Sequence, residues 1–175
     1  MSNYVGRAIK FIEQLYPFLA GIVSSDERYT MRNYYKAVNL FNERYHRHVI
    51  VAHGAVRVAF ITSDYVVKFD YDPDEAKIYG GCENEYAAFR QIVRDGYAHL
   101  FAPITKYTTH GFSFYIMPRV RVCGDCWKNI DDYIESEDEV EYIIENIADL
   151  HEENWGFLHG EVKIFDYALS FSRRW

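Results

Sequence analysis

Three short apolar runs, residues 49–52, 56–62 and 65–70, follow one another across breaks as brief as His53-Gly54 and Ser63-Asp64. Breaks of that length cannot hold a crossover helix, so the runs can pair only as consecutive antiparallel strands. The chain before them has a different period. Val5, Ile9, Ile12, Tyr16 and Leu19 recur at helical steps over residues 4–22, and Tyr34, Val38, Phe41 and Tyr45 do so in a second helix expected over residues 30–44. Helices and antiparallel strands in separate blocks predict an α+β fold.

The alternation resumes downstream. Gly80-Gly81 leads into a helix expected over residues 82–93, with Tyr86, Phe89 and Val93 at helical spacing. Residues 104–108 and 112–117 form a hairpin around Thr109-His110-Gly111, which completes the order β-β-β-α-β-β at Met117. A later helix is marked by Ser136 and Glu139 at capping-box spacing and by a stripe of Val140, Ile143, Ile144 and Ile147, and it is expected to end at Asp149. The acids Glu135, Glu137, Asp138, Glu139, Glu141 and Glu145 read as its solvated face.

A chain of 175 residues is one domain by length, and at this size about 70% of the unfolded surface can be buried. An aromatic content of 18%, with 16 Tyr, predicts a globular chain without disordered tracts. The formal charge of -7 argues against general binding of nucleic acid or anionic membrane, which needs surplus Lys and Arg. Because the N-terminal stretch is amphipathic, neither a signal peptide nor a membrane span is expected, and the cytoplasm is the expected location. Three cysteines make no disulfide framework. Cys123 and Cys126 form a C-x-x-C whose zinc reading would need Cys82 and a His as further ligands, so the plainer reading is a loop with two thiols.

The chemistry concentrates near the C-terminus. Asp149-Leu150-His151-Glu152-Glu153-Asn154 is followed by two short strands, around 155–158 and 162–165, joined by His159-Gly160-Glu161. This hairpin is expected to return Asp166 beside Asn154. Phosphoryl transfer needs a carboxylate to orient the attacking hydroxyl and metal ions to neutralise the triphosphate. Asp149 suits the first role, and the hard oxygens of Asn154 and Asp166 suit Mg²⁺, which takes only one or two protein carboxylates and completes its shell with water and phosphate. Taken singly, each residue reads as a cap, a turn or a strand end; the combination in this order points to ATP. His46, His48 and His53 lack matching carboxylates and are assigned no function.

The order β-β-β-α-β-β, followed by a helix and the 149–166 segment, resembles the protein kinase fold, and more narrowly the short kinase-like proteins of tailed bacteriophages, including host-takeover kinases. The resemblance covers roughly residues 49–170. It implies an N-lobe at 49–120 with an antiparallel sheet and one helix, a reduced C-lobe at 121–175, and residues 1–48 as an N-terminal helical extension. It assigns Asp149 to the catalytic-loop Asp, Asn154 and Asp166 to the metal ligands, and Lys68 in Val66-Val67-Lys68-Phe69 to the third-strand lysine that holds phosphates. Glu85 is the chosen partner of Lys68, with Glu83 as the fallback. Met117 would flank the adenine, and the backbone of Pro118 and Val120 would bind its edge.

The departures are as specific. Only Gly54 remains of the glycine-rich loop, with Arg57 offered as help on the phosphates. Ile147-Ala148 stands in place of His-Arg before Asp149, which removes the usual route of control by activation-loop phosphorylation. His151 stands where a lysine near the γ-phosphate is usual, and Asp-Leu-His is also similar to aminoglycoside and choline kinases. Tyr167-Ala168 replaces Phe-Gly, and no Ala-Pro-Glu segment follows. The resemblance thus implies a minimal ATP- and Mg-dependent kinase of Ser or Thr in host proteins, in the host cytoplasm if phage-encoded, docking substrates through its N-terminal helices. Two other expectations stand beside it: a kinase-fold protein that acts by binding a host partner without catalysis, and a small-molecule kinase.

Overall fold

A computed structural model of the chain describes residues 3–23, 25–123, 134, 136–148 and 152–169. The fold is α+β, with five α-helices among the described residues and an antiparallel five-stranded sheet. Two compact units are distinguished: residues 1–82 with 104–119, and residues 83–103 with 120–175.

The first unit opens with helices α1 (Asn3–Val23) and α2 (Met31–Tyr45). Strands β1 (Ile50–His53), β2 (Arg57–Ile61) and β3 (Tyr65–Asp70) follow, and β4 (Thr105–Thr109) and β5 (Phe112–Pro118) complete the sheet in the order β1-β2-β3-β5-β4. Each expected strand forms within a residue or two of its expected bounds. Strand β3 coincides with them.

Side chains alternate across a strand, so the register sorts the sheet into two faces. Val58 and Phe60 of β2, Tyr65, Val67 and Phe69 of β3, and Phe114 and Ile116 of β5 share one face with the buried stripes of α1 and α2. Phe11 of α1 stands edge-on to Phe41 of α2 at 5.4 Å and meets Phe60 at 6.5 Å. Residues 1–48, expected as an extension, are therefore packed onto the sheet and supply half of its core.

Between β3 and β4 lies α3 (Pro73–Tyr79), which the apolar pattern alone does not predict. Its start is nonetheless written locally: Asp72 accepts from the Glu75 backbone N–H at 3.1 Å, and Pro73 occupies the first turn, where its missing N–H costs nothing. Gly81 follows in a tight place, because a Cβ there would lie 2.6 Å from the Ala76 Cβ and 2.7 Å from an Asp70 carboxylate oxygen.

The second unit contains most of α4 (Cys82–Asp95), a short strand β6 (Arg121–Val122), α5 (Glu137–Asn146), β7 (Ile147–Ala148), β8 (Trp155–Leu158), β9 (Glu161–Ile164) and β10 (Ala168–Leu169). Strands β6, β8 and β9 form one sheet, and β7 pairs with β10. Several details correct the sequence reading. Helix α5 ends at Asn146 rather than Asp149, Ile147 enters β7, and Ile144 is exposed rather than part of the buried stripe. Ser136 makes no side-chain cap; the Glu139 N–H donates to the Ser136 backbone carbonyl at 3.1 Å, and the Glu139 carboxylate pairs with His99 at 2.6 Å. In α4 the buried stripe is Cys82, Glu85, Ala88 and Ile92, whereas Val93 is exposed.

Two hairpins in the molecule share one turn. His110-Gly111 joins β4 to β5 and His159-Gly160 joins β8 to β9, each with positive φ at both residues (51° and 79°, 55° and 90°). That is the two-residue turn whose twist suits adjacent antiparallel strands.

Candidate active site

In the first unit, the sheet face turned away from α1 and α2 carries Arg57 and Ala59 of β2, Val66, Lys68 and Asp70 of β3, and Tyr115 and Met117 of β5. Lys68 stands in register with Ala59 on one side and Tyr115 on the other. It is only 9% exposed, an unusual state for a lysine. Met117 lies opposite Val66 and is also buried, while Arg57 lies opposite Asp70. This face therefore carries Val66 and Met117 toward one end and Arg57 and Asp70 toward the other, with Lys68 and Ala59 between them.

The turn between β1 and β2 is held by a residue that the sequence reading missed. The Gly54 backbone N–H donates to the Arg57 carbonyl at 2.9 Å, and the Tyr71 N–H donates to the Val56 carbonyl at 3.1 Å. The Tyr71 hydroxyl adds bonds to the Ala55 carbonyl and, at 3.5 Å, to the Gly54 carbonyl. A Cβ at Gly54 would meet nothing within 4 Å, so the local fold does not require glycine there. At the far end of β3 the Asp70 carboxylate accepts from the Cys82 backbone N–H at 2.9 and 3.1 Å, supplying a cap at the start of α4 from outside the helix. Nothing in the local pattern marked Asp70 or Tyr71 for these duties.

The phase of α4 separates the two candidate carboxylates. Glu85 is on the buried stripe and only 3% exposed, whereas Glu83 is exposed.

In the second unit, the β8–β9 hairpin brings Asn154 and Asp166 together as expected. Trp155 pairs with Ile164, and the ladder continues one step beyond the strands where the Phe165 N–H donates to the Asn154 carbonyl at 2.9 Å. The Asn154 side-chain amide, in a residue only 5% exposed, then donates to the Asp166 carbonyl at 3.3 Å. Asp166 has φ 54°, a left-handed conformation that Asp tolerates better than most residues but that still needs support from its surroundings. That support comes from both sides. The Ile164 carbonyl accepts from the Ala102 N–H at 2.8 Å, and buried Tyr167 sends its hydroxyl to the Ala102 carbonyl at 3.0 Å with its ring edge-on to Phe101 at 5.0 Å. Burial holds the Tyr167 hydroxyl well above its usual range, and the Glu85 carboxylate adds to the effect.

Strand β7 ends at Ala148, the residue before Asp149, and pairs with β10, which begins two residues beyond Asp166. Asp149 and His151 themselves lie outside the described residues, as does Cys126. Pro118 closes β5 opposite Tyr65, where a residue lacking an N–H is tolerated. The chain passes to the second unit between Arg119 and Val120, within the stretch expected to contact adenine. Cys123 is disulfide-bonded, which corrects the reading of two thiols at that position.

Among the described residues no group of three or more His, Cys, Asp or Glu side chains is arranged to hold a metal ion. At the open end of the β8–β9 hairpin, Asn154 and Asp166 provide an amide oxygen and a carboxylate, a donor set that suits Mg²⁺ with water and phosphate as its other ligands. No described helix is long and apolar enough to cross a membrane. Compared with known families and with curated proteins, the chain matches no family model and no curated sequence.

Proposed function

We propose that the chain is an ATP- and Mg-dependent phosphotransferase acting on Ser or Thr hydroxyls of partner proteins, host proteins if the chain is phage-encoded, in the cytoplasm where it is made. One observation carries the reading. Among the described residues, the buried polar or charged side chains are Lys68, Glu85 and Asn154. Burying such groups costs several kcal/mol unless they are paired, and these three are the residues to which the kinase resemblance gives phosphate, lysine-partner and metal roles.

The roles follow from chemistry. Lys68 would neutralise the α- and β-phosphates, with Arg57 and the turn at Gly54 near the same end of the sheet face. Met117 would lie against the adenine, with the Pro118 carbonyl as an acceptor at its edge. Asn154 and Asp166 would hold Mg²⁺, which when bound neutralises charge on the phosphates and on the departing oxygen. Asp149 would accept the proton of the substrate hydroxyl as its oxygen bonds to the γ-phosphorus and the bond to the β-phosphate oxygen breaks, releasing ADP. Tyr167 fixes the backbone of Asp166 from below.

The test is transfer of labelled γ-phosphate from Mg-ATP to the protein and to a bacterial lysate, in wild type, Asp149→Ala and Asp166→Ala. Labelled bands that vanish in both variants are expected. Asp149→Asn should slow transfer by about 10²- to 10⁴-fold and leave ATP binding nearly unchanged. Mg-ATP binding without any labelling would turn the reading toward a binding protein, and label appearing only in added soluble acceptors would turn it toward a small-molecule kinase.

A further inference from the structure

A cleft of about 440 Å³ lies wholly within the first unit, on the side of the sheet that α1 covers, with Phe11 and Tyr65 among its lining. Its rim is basic: Arg7 and Lys10 from α1, His46, Arg47 and His48 from the loop after α2, and Arg119 after β5. The same cleft contains a single carboxylate, Asp64. On a chain of net charge -7 this is a concentrated patch of opposite sign.

Two of the cations are used by the fold. Arg7 pairs with Asp64 at 3.0 Å, and Arg119 donates from its guanidinium to the Thr62 carbonyl at 2.9 Å. Among the described residues neither Lys10 nor Arg47 has an ion-pair partner, and both are exposed. Clustering like charges costs free energy through self-repulsion, which an anionic ligand would relieve.

The loop that carries Arg47 is fixed before any ligand arrives. His46 closes α2 in the left-handed conformation at φ 49°, and the Arg47 N–H donates to the Asn42 carbonyl at 3.1 Å. The Asn42 side chain then clasps Val49, donating to its carbonyl and accepting from its N–H, both at 3.0 Å. Both ends of His46-Arg47-His48 are therefore pinned, so little ordering entropy remains to be lost on binding.

We propose that this cleft docks a short acidic segment of a partner protein, the same protein whose hydroxyl is phosphorylated. The phosphorylation of that partner rests on the proposed kinase function; the docking does not. A run of a few carboxylates matches the few cations of the rim, whereas an extended nucleic acid would meet the repulsion of the remaining acidic surface. Within β3, Tyr65 of the cleft and Lys68 lie on opposite faces of the sheet.

The experiment measures fluorescence anisotropy of a short fluorescein-labelled peptide of alternating Glu and Gly against wild type and Lys10→Glu/Arg47→Glu. Binding by wild type that weakens with salt and falls by about tenfold or more in the variant is expected, with an unchanged circular dichroism spectrum. The neutral pair Lys10→Gln/Arg47→Gln should show an intermediate loss and guards against a folding defect. Equal binding by wild type and variant, no binding at all, or tighter wild-type binding to a single-stranded oligonucleotide overturns the proposal. The lysate labelling separates the two readings. Equal labelling by wild type and the variant sinks the docking and leaves the kinase standing, while no labelling together with charge-dependent peptide binding does the reverse.

Discussion

The side-chain amide of Asn154 donates to the backbone carbonyl of Asp166 at 3.3 Å and so holds an aspartate in a left-handed conformation, φ 54°, at the end of a hairpin. Asn154→Asp keeps the size and an oxygen ligand but replaces the donor with a second acceptor facing that carbonyl. The variant should lose about 1–3 kcal/mol of stability. Denaturant unfolding with and without Mg-ATP checks this, and an unchanged midpoint would show that the bond contributes nothing.

Gly81 and Gly54 should respond in opposite ways to alanine. At Gly81 the new methyl collides with Ala76 and with the Asp70 carboxylate that caps α4, so a loss of about 1–3 kcal/mol is expected. At Gly54 it meets nothing, so stability should stay within about 0.5 kcal/mol while ATP affinity falls as the methyl crowds the phosphates. Thermal melts paired with nucleotide titration decide both.

Lys68→Met keeps most of the side chain's length and removes its charge. Mg-ATP affinity should fall by about tenfold or more, the worth of one charge-assisted contact. Isothermal titration gives the answer, and undiminished affinity would remove Lys68 from the site.

Tyr34 is fully buried, and among the described residues its hydroxyl has no hydrogen-bond partner. Burial accordingly holds this hydroxyl well above its usual range. Tyr34→Phe removes an unsatisfied group without opening a cavity and should be neutral or stabilising by about 1 kcal/mol. A lower melting temperature would reveal a partner for the hydroxyl.

Glu13 fastens α1 to the β4–β5 hairpin through the Tyr107 hydroxyl at 2.8 Å and the His110 ring at 3.3 Å, with Tyr16 stacked on His110 at 4.0 Å. The hydrogen bond from Tyr107 above all, with the His110 ring adding to it, holds the Glu13 carboxyl below its usual range. A carboxyl depressed on folding contributes stability that is present above its unfolded value and is lost as pH falls through its folded value. The difference in melting temperature between wild type and Glu13→Gln should therefore shrink as pH falls through the carboxylate range. A difference that grew with acid would contradict this assignment.

Much of the fold was legible because its signals are local. The short β-type runs of β1 to β5, the stripes of α1 and α2, and the His-Gly turns depend on a few neighbouring residues, and each formed near its expected place. Asp72-Pro73 was a readable start signal for α3 that the apolar pattern obscured. Ile144 and Val93 were misread because a helical stripe can be drawn through either side when a helix is apolar on more than one face.

The sequence by itself determined the order of elements and the hairpin that sets Asp166 beside Asn154, since both follow from short-range periodicity and turn chemistry. Only the tertiary structure decided that Glu85 rather than Glu83 is buried, that Lys68 shares the sheet face opposite the helices, that Tyr71 holds the turn at Gly54, and that Ala102 holds the segment around Asp166. Burial and cross-strand partnership are sums over residues far apart in the chain, and no local pattern contains them.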